Sequence, residues 1–245
     1  MAARPDLAAV VLAAGYSRRM GAFKPLLPFG PHSIIEQVVS TVREAGIETF
    51  RVVVGWSAEL LIPVLERCDA PWIRNERFSE GMYASIQAGV RSLPAGIAAF
   101  FILPGDMPRV RSATLTCLAA EWERRSGGII HPCFEGRRGH PPLIASLYIP
   151  EILAETPPGG LRALLARHAG DAREVECGDP GILADLDTPD DYRPGLDGSK
   201  QTRPGLHIWR EQRMSSGPRT VTVWAHQHEL SGENSKWSTS SGSAR

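Results

Sequence analysis

The sequence has no long hydrophobic run. No stretch approaches the roughly 18–20 consecutive apolar residues that a membrane-spanning helix needs, which argues against a membrane partner. It has no charge excess either: 27 basic and 27 acidic residues give a formal net charge of zero. Without an overall field, no general attraction to nucleic acid or membrane is expected. Cysteine is scarce. Cys68, Cys117, Cys133 and Cys177 are far apart, with no CxxC pair, so reduced, mostly buried thiols are expected rather than a disulfide framework or a zinc site. The first residues, Met1 to Asp6, run straight into an apolar stretch without a secretory leader pattern. A cytoplasmic location is the expectation. Aromatic residues make up only 7% of the chain, while apolar content of 42% and charged content of 22% are ordinary for a globular protein. At 245 residues the chain suits one sizeable domain, or one domain with an extension.

What is present centres on residues 10 to 28. Ala9 to Leu12 reads as a buried strand. It breaks into the small-residue turn Ala13-Ala14-Gly15, which lets the backbone approach a ligand closely. Ser17, Arg18, Arg19 and Lys24 follow in one loop. Backbone N–H groups with several cations in one loop suit a polyphosphate, although an ordinary basic surface loop fits the same spacing. Neither the Gly-Lys-Ser/Thr phosphate loop nor the GxGxxG dinucleotide fingerprint occurs.

The remaining chain alternates strands and helices. Ser33 and Glu36 form a capping-box pattern before the periodic run Ile34, Ile35, Val38, Val39, Val42. Strands are expected at Phe50 to Val54 and Trp72 to Arg74, with a helix from Ala58 to Arg67 interrupted or started late by Pro63. This is the pattern of a parallel sheet with crossover helices. Gly81 opens a further helix carrying Met82 and Ser85. A helix N-terminus after a strand offers backbone donors to a base or phosphate, although a plain crossover helix with Met82, Ile86 and Val90 as its core stripe fits equally. Ala98 to Leu103 reads as the central strand, ending at Pro104-Gly105-Asp106-Met107-Pro108. A carboxylate there lies in the crevice where open α/β sheets bind ligands, and it suits Mg²⁺, which bridges carboxylates to phosphates.

Later come a helix at Ser112 to Arg125, a short strand at Ile129 to His131, and a basic loop, Arg137 to Leu143. That loop contains Arg138, His140 and Pro141, and reads either as a cradle for a substrate phosphate or as a solvated hairpin tip. A helix from Leu161 to His168 and a last strand from Ile182 to Asp187 complete the pattern. The last strand ends among Asp185, Asp187, Asp190 and Asp191. Asp187 or Asp185 is the candidate second carboxylate opposite Asp106. Thr188 is placed to cap a helix starting at Pro189.

Three strings together resemble the molybdenum cofactor nucleotidyltransferases, within the wider MobA-like NTP transferases. They are Leu12-Ala-Ala-Gly-x-Ser17-x-Arg19-Met-Gly-x-x-Lys24, Asn75-x-x-Phe-x-x-Gly81-Met82-x-x-Ser85, and Gly105-Asp106-Met-Pro. The Gly139-His140-Pro141 element and the Asp185-Leu-Asp187-Thr-Pro-Asp-Asp stretch add to it. The resemblance covers residues 6 to 192. It implies a three-layer, mostly parallel, Rossmann-like α/β fold of the nucleotide-diphospho-sugar transferase type. It also implies Mg²⁺ held by Asp106 with Asp187 or Asp185, and catalysis by Arg19, Lys24 and Asp106. The nucleoside triphosphate would lie on Leu12, Ala13, Ala14, Gly15, Ser17, Arg19, Lys24, Gly81, Met82 and Ser85. Arg138, His140 and Pro141 would face a molybdopterin-type acceptor, with a molybdenum hydroxylase apoenzyme as a further candidate partner. Ala13-Ala14, where guanylyl-transferring relatives usually carry Gly-Gly, looks like the cytidylyl branch and favours CTP. Use of GTP or another triphosphate, transfer onto a sugar or alcohol phosphate, and a non-catalytic cofactor carrier stay open as alternatives.

Beyond residue 192 the character changes. Residues 193–245 are rich in Gly, Ser, Thr and Arg, carry Trp209, Trp224 and Trp237, and show no sustained period, apart from a possible short strand at Thr220 to Trp224. A mostly disordered extension, or a foreign or frameshifted read-through, is the reading. Limited proteolysis is expected to remove residues 193–245 while the rest stays intact. A protease-resistant tail on an intact core would contradict this.

Overall fold

The computed structural model describes residues 4–17, 22–154, 156–186 and 191–192. The expected alternation is present. In chain order the main elements are β1 (Leu7–Ala13), α1 (Ile34–Glu44), β2 (Thr49–Val54), α2 (Ala58–Arg67), β3 (Trp72–Arg74), α3 (Met82–Arg91), β4 (Ala99–Pro104), α4 (Ser112–Arg124), β5 (Ile129–Phe134), β6 (Leu143–Ala145), α5 (Ile149–Ala154), α6 (Gly160–Arg167) and β7 (Ala172–Glu176). The sheet runs β7-β5-β6-β4-β1-β2-β3, with the short Arg137–Arg138 strand added beside β5. Only β6 and that short strand pair antiparallel with their neighbours. The rest are parallel, so the sheet is mixed but mostly parallel.

Sequence explains most of these elements locally. Ser33 and Glu36 make both halves of the capping box: the Glu36 N–H donates to Ser33 Oγ and the Ser33 N–H to Glu36 Oε2 at 2.8 Å. β1 and β4 are near-continuous apolar runs because both faces are covered. Leu7 to Val11 and Phe100 to Leu103 are all 1% exposed or less, as strands buried beneath helices on both sides should be. Helix α3 lies over β1, β2 and β3 and meets α5 and α6, while α1 packs on β1 and α4, and α4 on β5 and β7. Gly89 lets α3 settle on the sheet: a β-carbon there would come within 2.2 Å of Val10 Cγ1 and 3.0 Å of Val53 Cγ2.

The structure corrects four expectations. Helix α2 is continuous through Pro63, which sits at its sixth residue. The stretch expected as a strand from Ile182 is instead a 3-10 turn, Pro180–Leu183, with no strand among residues 184–186. The last strand is Ala172–Glu176, which shows no clear apolar alternation and takes its place by pairing with β5. Met82 is not part of the α3 core stripe: it is 67% exposed, whereas Ile86 and Val90 are buried as expected and Tyr83 joins them. Of the four free cysteines only Cys133 is fully buried; the others are half-buried. The expected cap at Thr188 and the whole of 193–245 lie outside the described residues. No helix among the described residues is long and apolar enough to cross a membrane.

Gly89→Ala is expected to destabilise the protein. Alanine would gain about 1 kcal/mol of helix propensity, but the clash with Val10 in a close-packed core costs about 1–3 kcal/mol or more. Urea unfolding should show a lower midpoint with an unchanged slope.

Candidate functional site

Two cavities open side by side at the carboxyl ends of the parallel strands. The smaller, about 330 Å³, is lined by Leu12, Ala13, Ala14, Gly15, Tyr16 and Ser17 from the end of β1, and by Lys24 and Pro25. Phe78, Ser79, Gly81, Met82 and Ser85 close it around the start of α3, with Pro104, Gly105 and Asp106 at the end of β4. The larger, about 670 Å³, shares Leu12, Met82 and Pro104 with the first and extends to His131, Arg138, Gly139, His140, Pro142 and the first turn of α6.

Strand register builds the smaller cavity. Leu12 lies opposite Pro104, and the Gly105 N–H extends the ladder to the Leu12 carbonyl at 2.9 Å. A β-carbon at Gly105 would meet that carbonyl oxygen at 2.8 Å. A glycine there lets the chain turn tightly and deliver Asp106 next to the β1 loop. Lys24 crosses from the other side, its Nζ 2.9 Å from Asp106 Oδ2. Lysine 24 is buried, at 7% exposure, whereas the Asp106 side chain keeps 30%. A buried ammonium requires an anion close by, and Asp106 supplies it. Ser17, at φ +50°, accepts the Lys24 N–H at 3.2 Å, which ties the ends of the loop together. At the start of α3, Gly81 is the N-cap residue with no side-chain cap, and Gly81, Met82 and Ser85 line the cavity. Ser85 is held by Asn75 Nδ2 at 3.0 Å. Tyr16, Trp56 and Phe78 pack their rings together, with centroids 5.1–6.4 Å apart.

The larger cavity is bounded by the Arg138–His140 loop. Arg138 is paired with Glu174 at 2.5 Å. His140 is accessible to solvent yet hemmed in by protein, and desolvation lowers its pKa against the pull of Asp106 and Asp185. Its backbone N–H donates to the Ile182 carbonyl at 2.9 Å. The segment after β7 is pinned by Asp179, almost fully buried, which accepts from the Arg111 N–H (2.9 Å), Thr114 Oγ1 (2.6 Å) and the Gly181 N–H (2.9 Å). The Leu186 N–H then donates to the Asp106 carbonyl at 3.1 Å. Asp185 and Asp106 therefore flank His140 from two chain segments.

Of the residues singled out from sequence, the structure brings Leu12, Ala13, Ala14, Gly15, Ser17, Lys24, Gly81, Met82, Ser85 and Asp106 around one cavity, and Arg138 and His140 around the next. Pro141 is buried and not part of the cavity lining. Gly139 and Pro142, its neighbours in the loop, line it instead. Arg19 and Asp187 lie outside the described residues. Sequence reasoning missed Tyr16, Phe78, the Gly159–Gly160 start of α6, and His131. For Gly159–Gly160 the signal was present as a helix breaker, but nothing local tied it to a cavity shared with β1, α3 and β4. His131 looked like one residue of a short apolar strand.

Among the described residues no cluster of three metal-ligating side chains exists. The donor set still fits Mg²⁺, which binds through one or two carboxylates plus substrate phosphates rather than an all-protein cage. Asp106 presents a hard, partly exposed carboxylate at the cavity wall, and Asp185 lies near enough to His140 to act on the same imidazole.

An open, mostly parallel sheet with its cleft at the strand carboxyl ends, a lysine–carboxylate pair and an exposed helix N-terminus defines an α/β protein of the nucleotidyltransferase type. The chain belongs to the MobA-like NTP transferase domain family, whose model matches residues 9–172. It is 27% identical over 183 residues to the molybdenum cofactor cytidylyltransferase of Escherichia coli (strain K12), covering 75% of this chain and 92% of the relative. It is 29% identical over 201 residues to a probable molybdenum cofactor guanylyltransferase of Mycobacterium avium (strain 104), covering 79% and 96%. The fold matches that of the manganese complex of Rv0371C from Mycobacterium tuberculosis H37Rv with a TM-score of 0.63 at 22% identity, over 76% of this chain and 95% of that one.

His131 also makes a testable electrostatic statement. Burial, with Arg138 and His140 beside it and Glu174 in partial opposition, pushes its pKa from the ordinary imidazole value of 6.5 down to about 4. Below about pH 6.5 the unfolded chain takes up a proton that the folded chain refuses, so stability falls between about pH 6.5 and 4 and is flat above that range. Between pH 7.5 and 4.5 the wild type should lose about 2–3 kcal/mol more than His131→Asn in urea unfolding.

Proposed function

We propose that this chain joins CMP from CTP to the phosphate of a molybdopterin-type acceptor in a Mg²⁺-dependent reaction, releasing pyrophosphate. The observation that carries this reading is the pair of adjoining cavities, divided only by Leu12, Met82 and Pro104, with the Lys24–Asp106 pair in the wall of one and a basic loop in the wall of the other. Such a layout suits a donor triphosphate and an acceptor phosphate meeting end to end.

In this reading an oxygen of the acceptor phosphate attacks the donor α-phosphorus. The bond between that phosphorus and the pyrophosphate oxygen breaks, and the electron pair leaves with pyrophosphate. The acceptor is already ionised, so no general base is needed. Lys24 neutralises charge that develops on the phosphoryl oxygens and leaving group; Arg19 is proposed to share this role. The exposed first turn of α3 and the Ala13–Gly15 backbone orient the donor. Arg138 and His140 hold the acceptor phosphate, and Asp106, with Asp185 or Asp187, holds the metal. Mg²⁺ when bound supplies Lewis-acid polarisation of the reacting phosphates. A molybdenum hydroxylase apoenzyme is the proposed recipient of the product.

CTP is favoured by similarity to the Escherichia coli cytidylyltransferase and by the cavity wall. Ala13 and Ala14 line the smaller cavity, and their methyl groups narrow it relative to glycine at both positions, which disfavours a purine. Similarity to a guanylyltransferase of nearly the same identity supports GTP as the second reading.

Thermal stabilisation by CTP, GTP, ATP and UTP with Mg²⁺ tests the reading. A ligand at 100 times its dissociation constant adds about 2.7 kcal/mol, or about 5–10 °C for a domain of this size. A CTP-selective shift is expected, and it should shrink in Asp106→Asn, which keeps a partner for Lys24 but loses the carboxylate charge. A GTP-selective shift would overturn the cytidylyl assignment, and the absence of any shift would favour a cofactor carrier.

A further inference from the structure

His131 lies in the wall of the larger cavity at 7% exposure, and no described residue hydrogen-bonds its imidazole. Its ring nitrogens are not among the fully enclosed polar atoms that lack a partner, so they open on the cavity, where a ligand would replace the water that reaches them. An aliphatic residue would fill this β5 position with no polar atom to satisfy, as Ile129 and Ile130 do beside it. Glu174, opposite it on β7, is engaged elsewhere, with Arg138 at 2.5 Å and Cys133 Sγ at 3.5 Å. The imidazole is thus held ready for a group that a ligand brings.

The rest of the wall describes that ligand. Among the described residues it contains no carboxylate, but it contains Arg138, His140 and Arg162, which suits an anion. The surfaces between them are aliphatic, with Ile86, Ile102, Leu161 and Leu165, which suits a flat apolar face. Imidazole in its uncharged form offers one donor and one acceptor, the complement of a heterocycle edge that presents both. A sugar phosphate would satisfy the cations but leave its hydroxyls against aliphatic walls.

We propose that His131 determines acceptor specificity, by hydrogen-bonding directly to the polar edge of a flat heteroaromatic ring whose phosphate-bearing side chain reaches past Leu12 and Pro104 toward Asp106. This deepens the acceptor half of the proposed function and rests on that reading. A pterin is a ring of this class. Losing one such hydrogen bond inside a buried site rejects ligands strongly, because the partner group is left unsatisfied.

The test uses the full chain as wild type, His131→Phe, which keeps a flat ring without polar atoms, and His131→Asn, which keeps a donor and an acceptor. The probes are 6-hydroxymethylpterin monophosphate, followed by its own fluorescence, and glucose 1-phosphate as competitor. The expected result is tight pterin phosphate binding by wild type, weakened about tenfold or more in His131→Phe, equivalent to about 1.4 kcal/mol. Recovery to within about threefold of wild type is expected in His131→Asn, since it restores a single well-placed hydrogen bond. Glucose 1-phosphate should compete poorly in all three. Stabilisation by the donor nucleotide should be equal in the three proteins, a readout that a merely structural role for His131 would disturb. Equal pterin phosphate binding by wild type and His131→Phe, failure of His131→Asn to recover, loss of donor binding in both variants, or no pterin phosphate binding by wild type would each overturn the proposal. If the pterin results hold while no nucleotide stabilises the wild type, the nucleotidyl transfer reading fails and the ring-recognition role of His131 stands.

Discussion

The parallel pairing of β1 with β4 is the constraint on which the rest depends. Because Leu7 to Leu12 run in register with Ala99 to Pro104, both central strands leave the sheet at the same level. Their following loops then have one place to go, the crevice at the carboxyl edge. The Gly105 N–H reaching the Leu12 carbonyl carries that register one residue beyond the strand and presents Asp106 to the β1 loop. A one-residue slip would point every side chain of β4 to the opposite face of the sheet and carry Asp106 away from Lys24. The geometry of this edge is therefore inherited from the packing of Val10, Val11 and Leu103 inside the sheet.

Charge in the cleft is placed by the same economy. A lysine as buried as Lys24 is tolerable only with an anion against it. The carboxylate it needs comes from a different strand, 82 positions away in the chain. The two are mutually dependent: Asp106 sets the resting position of the ammonium, and the ammonium holds one carboxylate oxygen while the side chain stays accessible. Around the second cavity the acidic groups are kept back. Glu174 is bound to Arg138, and Asp179 is enclosed by the Arg111 N–H, Thr114 and the Gly181 N–H. Arg138 is thereby held in place at the rim by Glu174, and Asp179 anchors the chain that brings Asp185 and Leu186 to the Asp106 backbone.

Much of this was readable one residue at a time. The capping box at Ser33 and Glu36, the apolar runs of β1 and β4, and the small-residue turn at Ala13 to Gly15 are local patterns with local causes, and they appear where their spacing put them. Elements went astray where the cause was not local. Helix α2 runs on through Pro63, whose missing N–H removes one intrahelical hydrogen bond without ending the helix. Ala172–Glu176 became a strand only because β5 offers it a ladder, and Ile182 was drawn into a turn by the Asp179 anchor. Met82 carries an apolar side chain at a helical core period, yet the helix begins at the cleft, and Met82 lines the two cavities while Tyr83, Ala84 and Ser85 of the same turn are buried.

What the sequence by itself determined is the alternation of strands and helices as far as β5, most of the core, and the small-residue turn and Gly-Asp motif at the strand ends. Each of these follows from periodicity, turn chemistry and short motifs within about a dozen residues. Only the tertiary structure decided that Lys24 meets Asp106, that Gly139, His140 and Pro142 rather than Pro141 face the second cavity, and that the first turn of α6 and His131 share it. Those are meetings between segments far apart in the chain, and no local pattern encodes a distance across a sheet. They exist because strand register and the close seat of α3 on Val10 and Val53 leave the backbone one way to pack.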